Sequence, residues 1–138
     1  MILATVTNAD NGSALNYDIA KWIMAEFFQI AFPQPEPIAY EPDAIKPYVG
    51  KYDRPFASIE LGIIAGRLIG QAITKKGFPD EHTPVPPPPP PATLMPTGKN
   101  KFILIDGPAK DSEVEFLRKP DGSVGWLRLG LRVYRRLD

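Results

Sequence analysis

KYDRPFASIELGIIAGRLIGQAIT, residues 51–74, is the stretch on which the fold turns. Ile59, Leu61 and Ile63 alternate with Glu60 and Gly62, the two-residue period of a strand with one buried face. Ala65-Gly66 supplies a tight turn into Leu68, with Arg67 and Gln71 flanking it, so the stretch reads as a hairpin. The same period continues downstream. KNKFILIDG, residues 99–107, places Phe102 and Leu104 on one face. In SEVEFLRKPDGSVGWLRLGLRVYRRLD, residues 112–138, Val114 and Phe116 alternate with Glu113 and Glu115. Lys119-Pro120-Asp121-Gly122 then turns the chain, and Val124 and Trp126 return along the next strand. Gly130 separates a last strand, LRVYRRL. From Tyr48 onward about seven or eight short strands and no helical period predict a mainly β, small antiparallel barrel.

Upstream the pattern differs. ILATVT, residues 2–7, is apolar and β-branched and predicts a buried strand. NADNGS follows as a turn, with Asn11 or Ser13 able to cap a helix predicted over Ala14 to Ala31. Asp18, Lys21 and Gln29 form one narrow polar stripe, and most of the remaining surface is apolar. A helix wet along one edge needs cover on several sides. The face formed by Trp22, Ile23, Phe27 and Phe28 is therefore a candidate interaction surface, expected to lie on the barrel or in a two-fold dimer contact. Residues 33–47, with prolines at 33, 35, 37, 42 and 47, predict an extended linker between residues 1–32 and a barrel domain over 48–138.

Composition narrows the function. Sixteen basic and sixteen acidic residues cancel, and Arg128, Arg132, Arg135 and Arg136 near the C-terminus read as exposed rim charges balancing Glu113 and Glu115, so a nucleic-acid partner is not expected. Cysteine is absent, which removes thiol chemistry and leaves the compartment open. No apolar run reaches the ~20 residues of a membrane span, and MILATVTNAD lacks the basic leader and cleavage site of a signal peptide.

Catalytic motifs are missing. Three residues after Ser13, Ser58, Ser112 and Ser123 stand Asn16, Leu61, Glu115 and Trp126, so there is no Ser-x-x-Lys pair. His82, the single histidine, sits among loop signals beside Asp80 and Glu81, a solvated cluster rather than a metal site. Asn8, Asp10 and Gly12 do not keep calcium-loop register, and TGK at 97–99 lacks the earlier glycine of a phosphate loop. No catalytic residue, cofactor or metal is expected.

Two stretches together carry a resemblance. Thr7, Asn8, Asn11 and Gly12, leading into the helix, resemble the Thr-Asn-x-x-x-Gly end of a late sheet strand in serine beta-lactamase-related hydrolases of the penicillin-binding and class C type. The remainder is similar to the lipocalin-like barrel appended to such catalytic domains: Tyr48, Gly50 and Tyr52; Ala65-Gly66-Arg67-Leu68; Leu94, Pro96 and Phe102; Val114 and Phe116; Asp121 and Gly122; then Tyr134, Arg135 and Arg136. The resemblance implies a terminal strand and helix of a hydrolase domain followed by a non-catalytic accessory barrel. That barrel would serve oligomerisation, or shape access to the parent active site, with the parent domain or a second copy as partner. The family's Ser-x-x-Lys, Tyr-x-Asn and Lys-Thr-Gly motifs are absent.

Two other classes stand beside it. A free-standing lipocalin-like binder would use a cavity lined by barrel-interior Phe102, Trp126 and Tyr134, although small barrels usually fill with their own side chains. A proline-reading partner would dock on PVPPPPPPATLMP, residues 84–96, with Pro86 and Pro90 as contacts. Period-two segments flank that run on both sides, which favours an insertion between two strands of one barrel. As polyproline helix, residues 84–91 would span about 25 Å, enough to cross a barrel face.

Overall fold

A computed structural model describes residues 3–8, 12–32, 35–77, 80 and 82–137. The chain divides into two units, Met1–Gln34 and Pro35–Asp138. The larger is a closed antiparallel barrel of β1 (Gly50–Arg54), β2 (Ala57–Ile64), β3 (Arg67–Thr74), β4 (Ala92–Gly98), β5 (Lys101–Leu104), β6 (Glu113–Arg118), β7 (Val124–Leu129) and β8 (Arg132–Leu137). Each strand pairs with its sequence neighbours, and β8 returns to β1 through Lys51–Leu137, Tyr52–Arg136 and Asp53–Arg135. Closure removes the sheet edges that would otherwise recruit other chains. The turns match their residues: Ala65 and Gly66 both take positive φ (49° and 75°), as a two-residue hairpin turn requires.

One end of the barrel is plugged by the proline-rich segment. From Pro35 onward it belongs to the barrel unit, so the linker expected over 33–47 is structured there, while Pro33 and Gln34 lie outside the described residues. The Ile38 amide donates to the Pro96 carbonyl at 2.8 Å, and the Tyr40 hydroxyl to the Gly66 carbonyl at 3.2 Å. Proline then does what it does best at a helix start. Pro42 opens a 3-10 helix, Pro42–Tyr48, that buries Ile45 and Tyr48. Ile45 is only 1% exposed, a burial that stabilises by about 2 kcal/mol.

From the plug Tyr48 packs ring against ring with Phe102 and Phe116, and Tyr52 joins them, with centroids 4.5–5.7 Å apart. Their polar tips are satisfied. The Tyr52 hydroxyl donates to the Tyr48 carbonyl at 2.8 Å, and the Tyr48 hydroxyl to Asn100 Oδ1 at 3.0 Å. Arg118 reaches the same Asn100 oxygen through Nε at 2.9 Å. Arg136 fastens the plug to the closing strand by donating to the Pro47 and Val49 carbonyls at 2.9 and 2.7 Å. Gly50, at φ 148°, leaves room for it, since a Cβ there would stand 3.1 Å from Arg136 Nε.

Phe102 and Tyr134 lie in the core as expected, but Trp126 does not. A bulge between Leu117 and Arg118 on β6 makes β7 skip Gly125, so parity changes along β7. Val124 and Leu127 both face inward, and Trp126 pairs with Arg135 on the outer face.

The smaller unit contains α1, Gly12–Phe28. It ends three residues before the expected Ala31 because Gln29 turns left-handed (φ 54°). The amides of Gln29 and Ile30 then reach back to the Ala25 and Met24 carbonyls. The strand expected over 2–7 is absent among the described residues, where residues 3–8 are irregular and exposed. A lone strand with no paired neighbour leaves its backbone groups to water. Asn11 lies outside the described residues, as does the side chain of Ser13. Thr7 sits where a Cβ on Gly12 would fall, a close approach that only glycine permits.

Burial pushes the Tyr52 hydroxyl up from its ordinary 10.0 to about 12. A raised folded-state value means the proton-dependent stability is complete below pH 10 and is lost as pH rises toward 12. Denaturant unfolding between pH 8 and 12 should show that decline, on the order of 2 kcal/mol. Tyr52→Phe should cost about 1 kcal/mol at neutral pH and flatten the alkaline limb. An unchanged limb in that variant would contradict the assignment.

Candidate functional site

The end of the barrel opposite the plug is not filled. The registers bring together there the end of β3, the start of β4, the end of β5 and the start of β6. Small residues, Gly70 and Ala72 on β3 and Ala92 on β4, leave a cavity of about 110 Å³ whose walls include Leu61, Leu94 and Leu127. Among the described residues every lining side chain is apolar. Those side chains can hold an apolar group, and none of them is a proton donor, nucleophile or metal ligand.

Two connections cover this mouth. The first is the proline run, which joins β3 to β4 and so is an insertion within one barrel. β3 and β4 share only the rungs Leu68–Leu94, Ile69–Thr93 and Gly70–Ala92, after which β3 continues to Thr74 without β4. Pro89 and Pro90 approach here and line the cavity. Having no N–H, they cannot extend the ladder. The Gln71 side chain substitutes, donating through Nε2 to the Pro89 carbonyl at 2.7 Å and to Ala72 at 3.0 Å.

The second cover is the β5–β6 connection, which brings Pro108 and Ala109 to the rim. Its fastening is Asp106. The carboxylate accepts the Thr93 amide at 2.6 Å and the Thr93 hydroxyl at 2.7 Å. Those bonds, with Arg67 adding a smaller attraction, hold the Asp106 carboxyl below its ordinary range.

The remaining sequence candidates fall elsewhere. Pro86 and Pro90 are exposed along the run. Trp126 lies in a shallow outer groove with Lys119, Pro120 and Arg135. On α1, Trp22 and Phe27 are 60% and 65% exposed and meet edge to face at 6.0 Å, Phe28 is exposed, and Ile23 is half-buried. Asp80 spends its carboxylate on the amides of His82 and Thr83, which shapes the loop, and Glu81 lies outside the described residues. Among the described residues no group of three His, Asp or Glu could hold a metal, and no helix is long and apolar enough to cross a membrane. The cavity weighed from the sequence, at Phe102, Trp126 and Tyr134, is not the observed one, which none of the three lines and whose written signal is the small residues Gly70, Ala72 and Ala92 at inward or rim positions.

No family model and no curated protein matches the chain. Solved structures do. One described as SurE with D-Leu is 19% identical with a TM-score of 0.58, and covers 94% of this chain but 28% of its own. Another, described as SurE, is 18% identical with a TM-score of 0.57, covering 91% of this chain and 28% of its own. The likeness is one of fold, and this chain spans under a third of the length of those proteins.

The Asp106 clamp makes a sign-definite prediction. A depressed carboxyl contributes above its ordinary 3.8, and the contribution is lost as pH falls through the folded-state value. Asp106→Asn should raise amide exchange over residues 104–112 at pH 7 severalfold, roughly the effect of losing one or two charge-assisted bonds. Unchanged protection there would show that the clamp does not hold the rim.

Proposed function

We propose that this chain is the non-catalytic C-terminal part of a beta-lactamase-related serine hydrolase, its helix belonging with the catalytic domain and its lipocalin-like barrel an accessory module. The observation that carries this reading is the helical unit. A separate helix that exposes Trp22, Phe27 and Phe28 needs a covering body, and the two solved structures named above are chains more than three times the matched length.

The resembling motifs support it through the work they do here. Tyr48, Gly50 and Tyr52 build the plugged end, and Arg136 closes β8 onto it. These are stabilising roles, as an accessory barrel requires, and none touches a reacting group. The role is then to associate: with the parent hydrolase domain, shaping access to its cleft, or with a second copy. A proline-reading partner is less well supported, since Pro89 is tied to Gln71 and Pro89 and Pro90 face the cavity of their own barrel.

Co-expression with the Ser-x-x-Lys-bearing domain of the parent hydrolase is the test. A one-to-one complex should co-purify, with the Trp22 emission shifted to the blue. Trp22→Ser with Phe27→Ser should weaken it by about thirtyfold or more, as expected for two buried aromatic anchors. A two-fold dimer lost in the same variant would assign the accessory role to oligomerisation. A chain that stays monomeric, with α1 folded and no affinity for the hydrolase domain, would overturn the proposal.

A further inference from the structure

Most of the barrel interior is filled by aromatic and branched residues, so the space at the mouth calls for an account. At the plugged end, four rings and Ile45 pack together within the core. At the mouth the strands present glycine and alanine instead, and the walls are the ends of Leu61, Leu94, Leu127 and Leu129. An empty space of that kind forfeits dispersion contacts and destabilises its surroundings. Leucine at Ala92 would reach into it, whereas at Gly70 the ends of Leu61 and Leu94 already stand where a Cβ would fall. The cover is built rather than accidental, with Gln71 holding Pro89 on one side and Asp106 holding the loop of Pro108 on the other.

We infer that this mouth is a binding site for an uncharged apolar moiety, a single ring or a short aliphatic chain. Size sets the class. At about 110 Å³ the cavity is far smaller than the several hundred Å³ of a pocket for a whole cofactor or drug-sized ligand. It is comparable with the engineered apolar cavity of about 150 Å³ that stays dry and admits benzene. Roughly six heavy atoms fit, and any polar remainder of the ligand must project past Pro90 and Ala109 into solvent. Chemistry sets the polarity, since a carboxylate or ammonium inside would find no partner among the lining side chains. The inference is independent of the hydrolase reading, because the whole site lies within the barrel.

Methyl-resolved NMR of the full chain with benzene and hexan-1-ol as probes, and glycerol as the polar comparator, tests it. Saturable shifts are expected at Leu61, Leu94, Leu127 and Leu129 with a dissociation constant on the order of a millimolar, and none with glycerol. Gly70→Val, whose new Cβ must push the ends of Leu61 and Leu94 into the space, should weaken binding at least about tenfold while the barrel stays folded. Should that variant not fold, Leu129→Phe narrows the same site from the half-buried rim of β7 and should do likewise. The inference is overturned if no saturable shift appears up to the solubility of hexan-1-ol. Equal shifts at the fully exposed Leu131, or undiminished binding in a folded filled variant, would overturn it too.

Discussion

The stacking of the Pro42–Tyr48 helix onto Tyr52, Phe102 and Phe116 is the constraint from which the rest of this barrel follows. Eight strands enclose a lumen just wide enough for side chains, and four rings pack into one end of it. The hydrogen bonds around those rings satisfy the polar tips that burial would otherwise penalise. Arg136 then couples strand closure to the plug, since its guanidinium holds carbonyls on both sides of Tyr48. Plug and closure form one cooperative unit.

A barrel sealed at one end concentrates its variability at the other. There β3 and β4 part company after three rungs, and the chain crosses the gap as polyproline rather than as strand. A segment without donors cannot pair with a foreign strand, so the gap is covered without creating a sticky edge. The same prolines present flat apolar rings to the lumen, which makes the cover and the cavity wall one object. Apolar residues thus serve three purposes in this chain: the sealed core, the open mouth, and the exposed face of α1.

Much of this was legible in the residues, and the failures have identifiable causes. The alternation Ile59-Glu60-Leu61 and the turn at Ala65-Gly66 stated the barrel directly. Parity along β7 was misread because a bulge at Gly125 is invisible to a strict two-residue period, and so Leu127 took the interior position expected for Trp126. The segment 33–47 was read as a linker because proline excludes long helices and central strands. It does not exclude a short 3-10 helix, and Ile45 and Tyr48 are the apolar anchors that distinguish plug from tether. The exposed face of α1 is visible in the sequence as an excess of apolar positions around Trp22, Phe27 and Phe28. The cavity depends on where side chains end rather than on which faces they occupy, and pattern alone does not carry that.

The central claim is that residues 35–137 form a self-sufficient barrel, whereas α1 is stable only under cover. Hydrogen exchange along the whole isolated chain measures this directly. The account predicts that amides of β1, β6 and β8 exchange only through global unfolding, while those of Gly12–Phe28 exchange orders of magnitude faster. Protection of α1 equal to that of the barrel strands, in a monomer, would contradict it.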